Sequence, residues 1–236
     1  MPLLDRQPAP IERLSARLTM FGVLYCAMHV GVTFLKIPLD PGFTVGDWLS
    51  LLTPFAVMGS ALLVFDATYG YDGDQTAARR VLLASAAAYS TGLGINLAAN
   101  AIARLYDQRS PQAYALTYFL DEHLGHVVWH LGMAGVTAAL FLVSRALPPG
   151  RLGPATLIGA LAYAFAWFTD GVEGQTVPLL LSASVLFLVV LLMHRVARRS
   201  LIGRFLLLGH GSALLLFAIW WVWQDGFPQF TEIWSL

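Results

Sequence analysis

Charge is scarce in this chain. Only 12% of its 236 residues are Asp, Glu, Lys or Arg, against 57% hydrophobic, and the mean hydropathy is +0.66. A soluble domain carries roughly 25% charged residues, so a water-soluble fold is excluded. Lysine is almost missing: Lys36 stands near the end of the first hydrophobic run, which makes a retinal Schiff base in a last helix impossible. The single cysteine, Cys26, excludes an intramolecular disulfide and cysteine-cluster metal sites. The chain has no Gly-x-Gly-x-x-Gly in a dinucleotide context, no Gly-rich phosphate loop ending in Lys-Ser or Lys-Thr, and no Gly-x-Ser-x-Gly elbow, which argues against nucleotide hydrolysis. No basic surface interleaved with aromatics points to nucleic acid.

What the chain has is long apolar runs. Crossing a hydrocarbon core of ~30 Å takes about 20 helical residues, and seven runs of that kind follow one another, approximately over 16–36, 47–66, 80–104, 122–145, 153–172, 176–197 and 203–224. Turn-forming pieces such as Asp40-Pro41-Gly42, Tyr71-Asp72-Gly73-Asp74 and Pro148-Pro149-Gly150 separate them. The expected fold is an all-α polytopic integral membrane protein, one transmembrane helical domain over 1–236 with a short cytoplasmic segment 1–15. It has neither linkers nor tandem repeats. Asp5 and Glu12 are mixed with the first arginines, and no small-x-small cleavage site follows, so the first run is expected to be retained rather than removed as a signal peptide.

If the seven runs alternate, Arg6, Arg13, Arg17, Arg79, Arg80, Arg145, Arg151, Arg195, Arg198, Arg199 and Arg204 share one side, leaving Lys36, Arg104 and Arg109 opposite, 11 against 3 of the 14 basic residues. The positive-inside rule then puts the N-terminus in the cytoplasm and the C-terminus on the outer or periplasmic side, with a bacterial inner membrane as the expected location. The same alternation sends Asp40, Asp47, Asp107, Asp121, Glu122, Asp170, Glu173, Asp225 and Glu232 outward, nine of the 14 acids. A negative outer face attracts cations or leaves carboxylates free for chemistry; for the loop acids Asp40, Asp47, Asp107 and Glu232, the plainer reading is that acids stay where arginines are absent.

The fourth run differs. It opens Asp121-Glu122-His123-Leu124-Gly125-His126-Val127-Val128-Trp129-His130, with ionisable groups at a depth where they are costly and usually functional. At about 100° per residue, Glu122, His123, His126 and His130 share an arc of about 100°, whereas Asp121 points elsewhere and reads as a helix-start acid. His126 and His130 are ~6 Å apart along the axis and His123 and His130 ~10.5 Å apart, so one ion suits the pair better than all three. His-x-x-x-His on one face lets two imidazoles converge on a metal.

Further ligands must come from other helices. Asp170, Glu173, Asn96, Asn100 and His29 lie near the same depth, each with a plainer alternative. Asp170 and Glu173 flank Gly171 and Gly174 and fit an outer turn, the two asparagines fit interhelical packing, and a lone histidine in an apolar helix is most often a satisfied core residue. Trp220, Trp221 and Trp223 read as an aromatic belt, and Pro54 as a kink or a helix start. His194 and His210 belong to the inner half, away from this cluster.

Seven helices with intramembrane histidines resemble the superfamily of alkaline ceramidases and progestin/adipoQ-type receptors, which bind zinc within the bilayer. That pattern has Ser-x-x-x-His on an early helix and His-x-x-x-His on the last, with the metal toward the cytoplasm. Here the pair is His126 and His130 on the fourth helix, and the last carries His210, so no residue is carried over.

The leading expectation is a metal-dependent membrane enzyme that hydrolyses, or oxidises, a lipid or other apolar substrate in the outer half of the bundle. His126 and His130 are its expected metal ligands, completed by His123, Asp170 or Glu122, with Glu173 or Glu122 as general base on metal-bound water. Zinc is favoured, and the ligand types also suit iron or copper. Alternatives are a metal-ion or proton-coupled transporter, a haem protein ligated by His29 and His130, and an accessory subunit of a membrane complex.

Overall fold

Inside a bilayer every backbone polar group must be satisfied within the segment, which leaves the helix as the default for an apolar run. The computed structural model describes residues 11–39, 43–71, 75–103 and 111–234. Helix α1 spans Ile11–His29, α2 Val45–Ser50, α3 Thr53–Ala67, α4 Thr76–Ala103 and α5 Pro111–Tyr118. A π-helical segment, Phe119–Gly125, leads into α6 (His126–Ser144), followed by α7 (Pro154–Glu173), α8 (Val177–Met193), α9 (Leu201–Gln224) and α10 (Phe230–Trp234). The short pair Pro38–Leu39 and Phe43–Thr44 is the one β-ladder among the described residues. Arg6, Asp5, Asp40, Arg104, Asp107 and Arg109 lie outside the described residues, as do the turns at 40–42 and 72–74.

Among the described residues, six segments are long and apolar enough to cross a membrane: Ile11–Phe34, Val45–Ala67, Thr76–Ala103, Gln112–Ser144, Pro154–Glu173 and Leu201–Gln224. Helix α8 is apolar but, at 17 residues, shorter. The protein is an all-α polytopic membrane protein. Its surface agrees, because side chains such as Phe55, Met193 and Val222 are 77%, 81% and 83% exposed, an arrangement that suits lipid and not water. The second run is divided rather than continuous. Pro54 sits in the first turn of α3, where its missing N–H costs nothing, and α2 before it opens on a Thr44/Asp47 capping box.

The fourth helical segment starts at Pro111, not at 122, because the hydrogen-bonded backbone runs on through the polar Asp121-Glu122-His123 stretch that interrupts the hydropathy. The first helix likewise starts at Ile11 rather than 16.

Helix α1 lies between α3 and α7, α4 packs along α6, and α9 packs on α7 and α8. Lipid offers no hydrophobic drive between helices, so close backbone approach at small residues has to hold them together. At Gly132 a Cβ would come within 2.3 Å of the Tyr89 backbone nitrogen, and at Gly92 within 2.2 Å of the Trp129 nitrogen. These two glycines let α4 and α6 touch backbone to backbone.

In the core, a polar chain links four helices. Thr137 Oγ1 lies 2.9 Å from the Tyr163 hydroxyl, which is 3.3 Å from His210 Nε2, while His210 Nδ1 is 3.2 Å from Ser184 Oγ. All four side chains are fully buried, so each bond offsets a desolvation cost.

The glycine contacts give a direct test. Gly132→Ala is expected to destabilise the protein by about 1–3 kcal/mol through overpacking, seen as a lower unfolding temperature in detergent. Gly94→Ala, where a Cβ meets nothing within 4 Å, should leave that temperature unchanged or raise it. Equal behaviour of the two variants would contradict the close α4–α6 contact.

Candidate functional site

At the end of the bundle where α1, α4 and α7 finish and α6 begins lies a cavity of about 820 Å³. Its wall is part apolar, with Leu93, Leu97, Trp129, Phe165, Phe168 and Trp220, and part polar, with His29, Asn96, Asn100, Glu122, His126 and Asp170. Asp121 and Glu173 line it too, whereas His130 sits behind the wall, fully buried.

The deepest polar group is a hydrogen-bonded set drawn from three helices. Tyr25 of α1 donates its hydroxyl proton to Asp170 Oδ2 of α7 at 2.6 Å. His29, one turn on from Tyr25, places Nδ1 3.4 Å from the same oxygen and Nε2 2.5 Å from the Tyr89 hydroxyl of α4. Tyr25, Tyr89, His29 and Asp170 are all buried. Burial of an imidazole beside a carboxylate is costly unless both are hydrogen-bonded, and here each is. The set does not sit in an outer turn: Asp170 is inside α7, which continues to Glu173. Both nitrogens of His29 are engaged, so a haem iron would have to displace Tyr89 or Asp170 to reach it.

A second group is built by the π-helical segment. Asp121 Oδ1 accepts from Asn96 Nδ2 at 2.5 Å and from Asn100 Nδ2 at 2.9 Å. The asparagines therefore serve as interhelical donors and as cavity lining at once. The Asp121 carbonyl lies 2.8 Å from His126 Nδ1. A carbonyl only accepts, so this bond requires the proton on Nδ1, and the neutral imidazole with that tautomer keeps its lone pair on Nε2. His130 Nδ1 lies 2.6 Å from Thr176 Oγ1, and its Nε2, fully buried, has no hydrogen-bond partner. The His126 and His130 rings are 5.9 Å apart, with Trp129 stacked on His126.

The regular-helix projection is corrected at two residues. Asp121 faces α4 and the cavity, while His123 is exposed, its ring against Tyr118 at 5.7 Å and Phe119 at 6.0 Å. Two physical causes combine. The projection gives relative angles only, and the side of α6 turned to α4 is set by Gly125, Trp129 and Gly132, with Asp121 one turn before Gly125. The π-segment, with its i→i+5 bonds, also rotates less per residue than an α-helix, so the residues before Gly125 depart from the 100° wheel. His123 is thereby left exposed and outside the cavity lining.

Glu173 lines the cavity, but its carboxylate is engaged by the C-terminal segment. Oε2 accepts from the Phe230 backbone N–H at 2.9 Å and Oε1 from Thr231 Oγ1 at 2.7 Å, while Gln229 donates to the Glu173 carbonyl. Glu122 Oε2 is buried and without a hydrogen-bond partner. Trp220 is buried against Phe168 and Phe230 and lines the cavity, whereas Trp221 and Trp223 face outward. Sequence patterns did not single out Tyr25, Tyr89 or Thr176. Hydroxyls in apolar helices have no periodic signature, though Tyr25 and His29 stand i, i+4 on one face.

For a metal the donors fit in part. His126 and His130 each have Nδ1 tied to an oxygen, the arrangement that leaves Nε2 for a metal. Among the described residues, however, no three His, Cys, Asp or Glu side chains are gathered closely enough to hold an ion.

No family model matches the chain. It is similar to human ceroid-lipofuscinosis neuronal protein 6, at 30% identity over 124 residues that cover 48% of this chain and 38% of that protein. The chain thus spans well under half of that relative's length. No solved structure matches.

Proposed function

We propose that this protein is a membrane enzyme that draws a lipid or another apolar molecule into the cavity and transfers protons to or from it through His29 and Asp170. The observation that carries the reading is the cavity itself: about 820 Å³, within the ~300–1,000 Å³ of small-molecule sites, with aromatic walls and a buried imidazole–carboxylate pair at its floor. Such a pair inside a membrane helix bundle is costly to keep, which favours a functional role over a packing one. Tyr25 fixes the Asp170 carboxylate and Tyr89 fixes the His29 ring, so the proton-carrying atoms are held in place before a substrate arrives. Glu122, with a buried oxygen free of hydrogen bonds, is a better placed second base than Glu173.

In this reading the chain crosses the membrane seven times, with α8 as the short sixth crossing and the N-terminus cytoplasmic. Alternation of seven crossings puts the cavity on the outer side, opposite 11 of the 14 basic residues. A bacterial inner membrane fits that orientation.

The test uses whole membranes. Lipid extracts from cells expressing the wild-type protein should show a species gained or lost relative to cells without it, and Asp170→Asn should abolish the difference while the protein remains folded by its thermal transition. A lipid profile that responds equally to wild type and Asp170→Asn would remove the proton-transfer role.

A second reading keeps a metal ion, favoured by the orphaned, buried Nε2 of His130 and the Nδ1-anchored His126. Zinc, iron or copper there would supply a Lewis acid and a water whose pKa falls to about 7 with Zn²⁺. Metal analysis of purified protein separates the readings. A stoichiometric metal lost in His126→Ala/His130→Ala supports the ion, and metal content unchanged in that variant contradicts it.

A further inference from the structure

Resting on the reading of the cavity as a ligand site, we infer that its ligand is a cationic amphiphile, an apolar chain ending in a protonated amine beside a hydrogen-bond-accepting oxygen. The first observation is the charge of the lining. Four carboxylates, Asp121, Glu122, Asp170 and Glu173, face one lysine, Lys36, and the imidazoles of His29 and His126 among the described residues. The donors that meet Asp121 and Glu173 include amides, a hydroxyl and a backbone N–H, neutral groups that leave negative charge uncancelled, while Asp170 is shared between the Tyr25 hydroxyl and the His29 imidazole. Glu122 lies within electrostatic reach of Glu173 as well as of His123 and the Gln229 amide, and the two carboxylates, as like charges, repel. A ligand cation between them turns repulsion into attraction in a low-dielectric setting where the gain is large.

The second observation is independent of charge and concerns unused hydrogen-bonding capacity. Trp129 is 8% exposed and lines the cavity, yet its indole N–H has no partner. A buried donor of that kind keeps its desolvation cost uncompensated until an acceptor arrives. Glu122 Oε2 is likewise buried without a donor. An ammonium satisfies the carboxylate and a neighbouring hydroxyl satisfies the indole, so one small head group answers both. The third observation is the apolar remainder of the wall. Trp129, Phe165, Phe168, Trp220 and Phe230 supply aromatic faces, which suit an alkyl or ring-bearing tail and attract an ammonium through their π-systems. A free inorganic cation would gain nothing from these rings' apolar area, and an anionic lipid head would meet the carboxylates of Asp121, Glu122 and Glu173.

The experiment uses the full chain in zwitterionic phosphatidylcholine nanodiscs, with protein-free nanodiscs subtracted. Tryptophan fluorescence is titrated with four chain-matched probes: dodecylamine, 2-aminododecan-1-ol, dodecan-1-ol and dodecanoate. The amine and the amino alcohol should bind about tenfold or more tightly than the alcohol and the carboxylate, the scale of one charge-assisted hydrogen bond. Glu122→Gln should erase that preference while alcohol binding persists, and Trp129→Phe should remove the advantage of the amino alcohol over the plain amine. If the alcohol or carboxylate binds as tightly as the amine, the cationic head group is wrong and the cavity reading stands; if Glu122→Gln retains the preference, the placement of the ammonium on Glu122 is overturned. If none of the four binds, both fail. Should Glu122→Gln not fold, the ranking of the four probes on the wild type decides.

Discussion

The site depends on how closely α4 and α6 approach. A bilayer gives two apolar helices no reason to prefer each other over lipid, so the contact rests on backbone-to-backbone packing. Gly92 against the Trp129 backbone and Gly132 against the Tyr89 backbone leave no room even for a methyl group. Once these surfaces meet, the rotation of α6 about its axis is set. Asp121 is carried to Asn96 and Asn100, His126 and Trp129 turn toward the cavity, and Tyr89 is brought to His29. A looser pair of helices would leave the carboxylate and the imidazoles with unmet hydrogen bonds in a medium that does not forgive them.

Polar groups in this bundle fall into two tiers. The chain Ser184, His210, Tyr163 and Thr137 is closed on itself in the core, each member bonded to another, and it behaves as interhelical glue. The cavity set is different because it is incomplete. His130 Nε2, Trp129 Nε1 and Glu122 Oε2 are buried with no partner, and such capacity left unused within one region is what a binding site has before its ligand arrives. His210, a buried histidine as costly as any other, therefore reads as structure, whereas the group around Trp129 reads as a site.

Much of this was legible from residues alone. Runs of apolar residues separated by turns gave most helices within a few positions, because twenty residues without charge have few other options in a chain this apolar, but not the early start of the fourth at Pro111 nor the division of the second. Glu122, His126, Asp170, Asn96, Asn100 and His29 could be named because ionisable and amide groups stand out against leucine and alanine, and all six line the cavity. The absolute facing of α6 was harder to read. A helical wheel orders residues relative to each other, and choosing the polar arc as the inward face kept His123 and discarded Asp121. The spacing of Gly125 and Gly132, together with Gly92 on the partner helix, carried the missing information, since small residues mark where another helix touches. The π-segment at Phe119–Gly125 has no such signature, and tyrosines such as Tyr25 and Tyr89 are indistinguishable by pattern from packing aromatics.

The central claim, that the α4–α6 contact turns Asp121 rather than His123 toward Asn96, is tested most directly by disulfide trapping. With Cys26 replaced by alanine, cysteines are introduced in pairs at 96 and 121 and at 96 and 123, and the membranes are oxidised mildly. The account predicts an internal cross-link, detected by peptide mass, for the 96/121 pair and none for 96/123. Efficient cross-linking of 96/123, with 96/121 remaining reduced, would contradict the rotation of α6 on which the cavity rests.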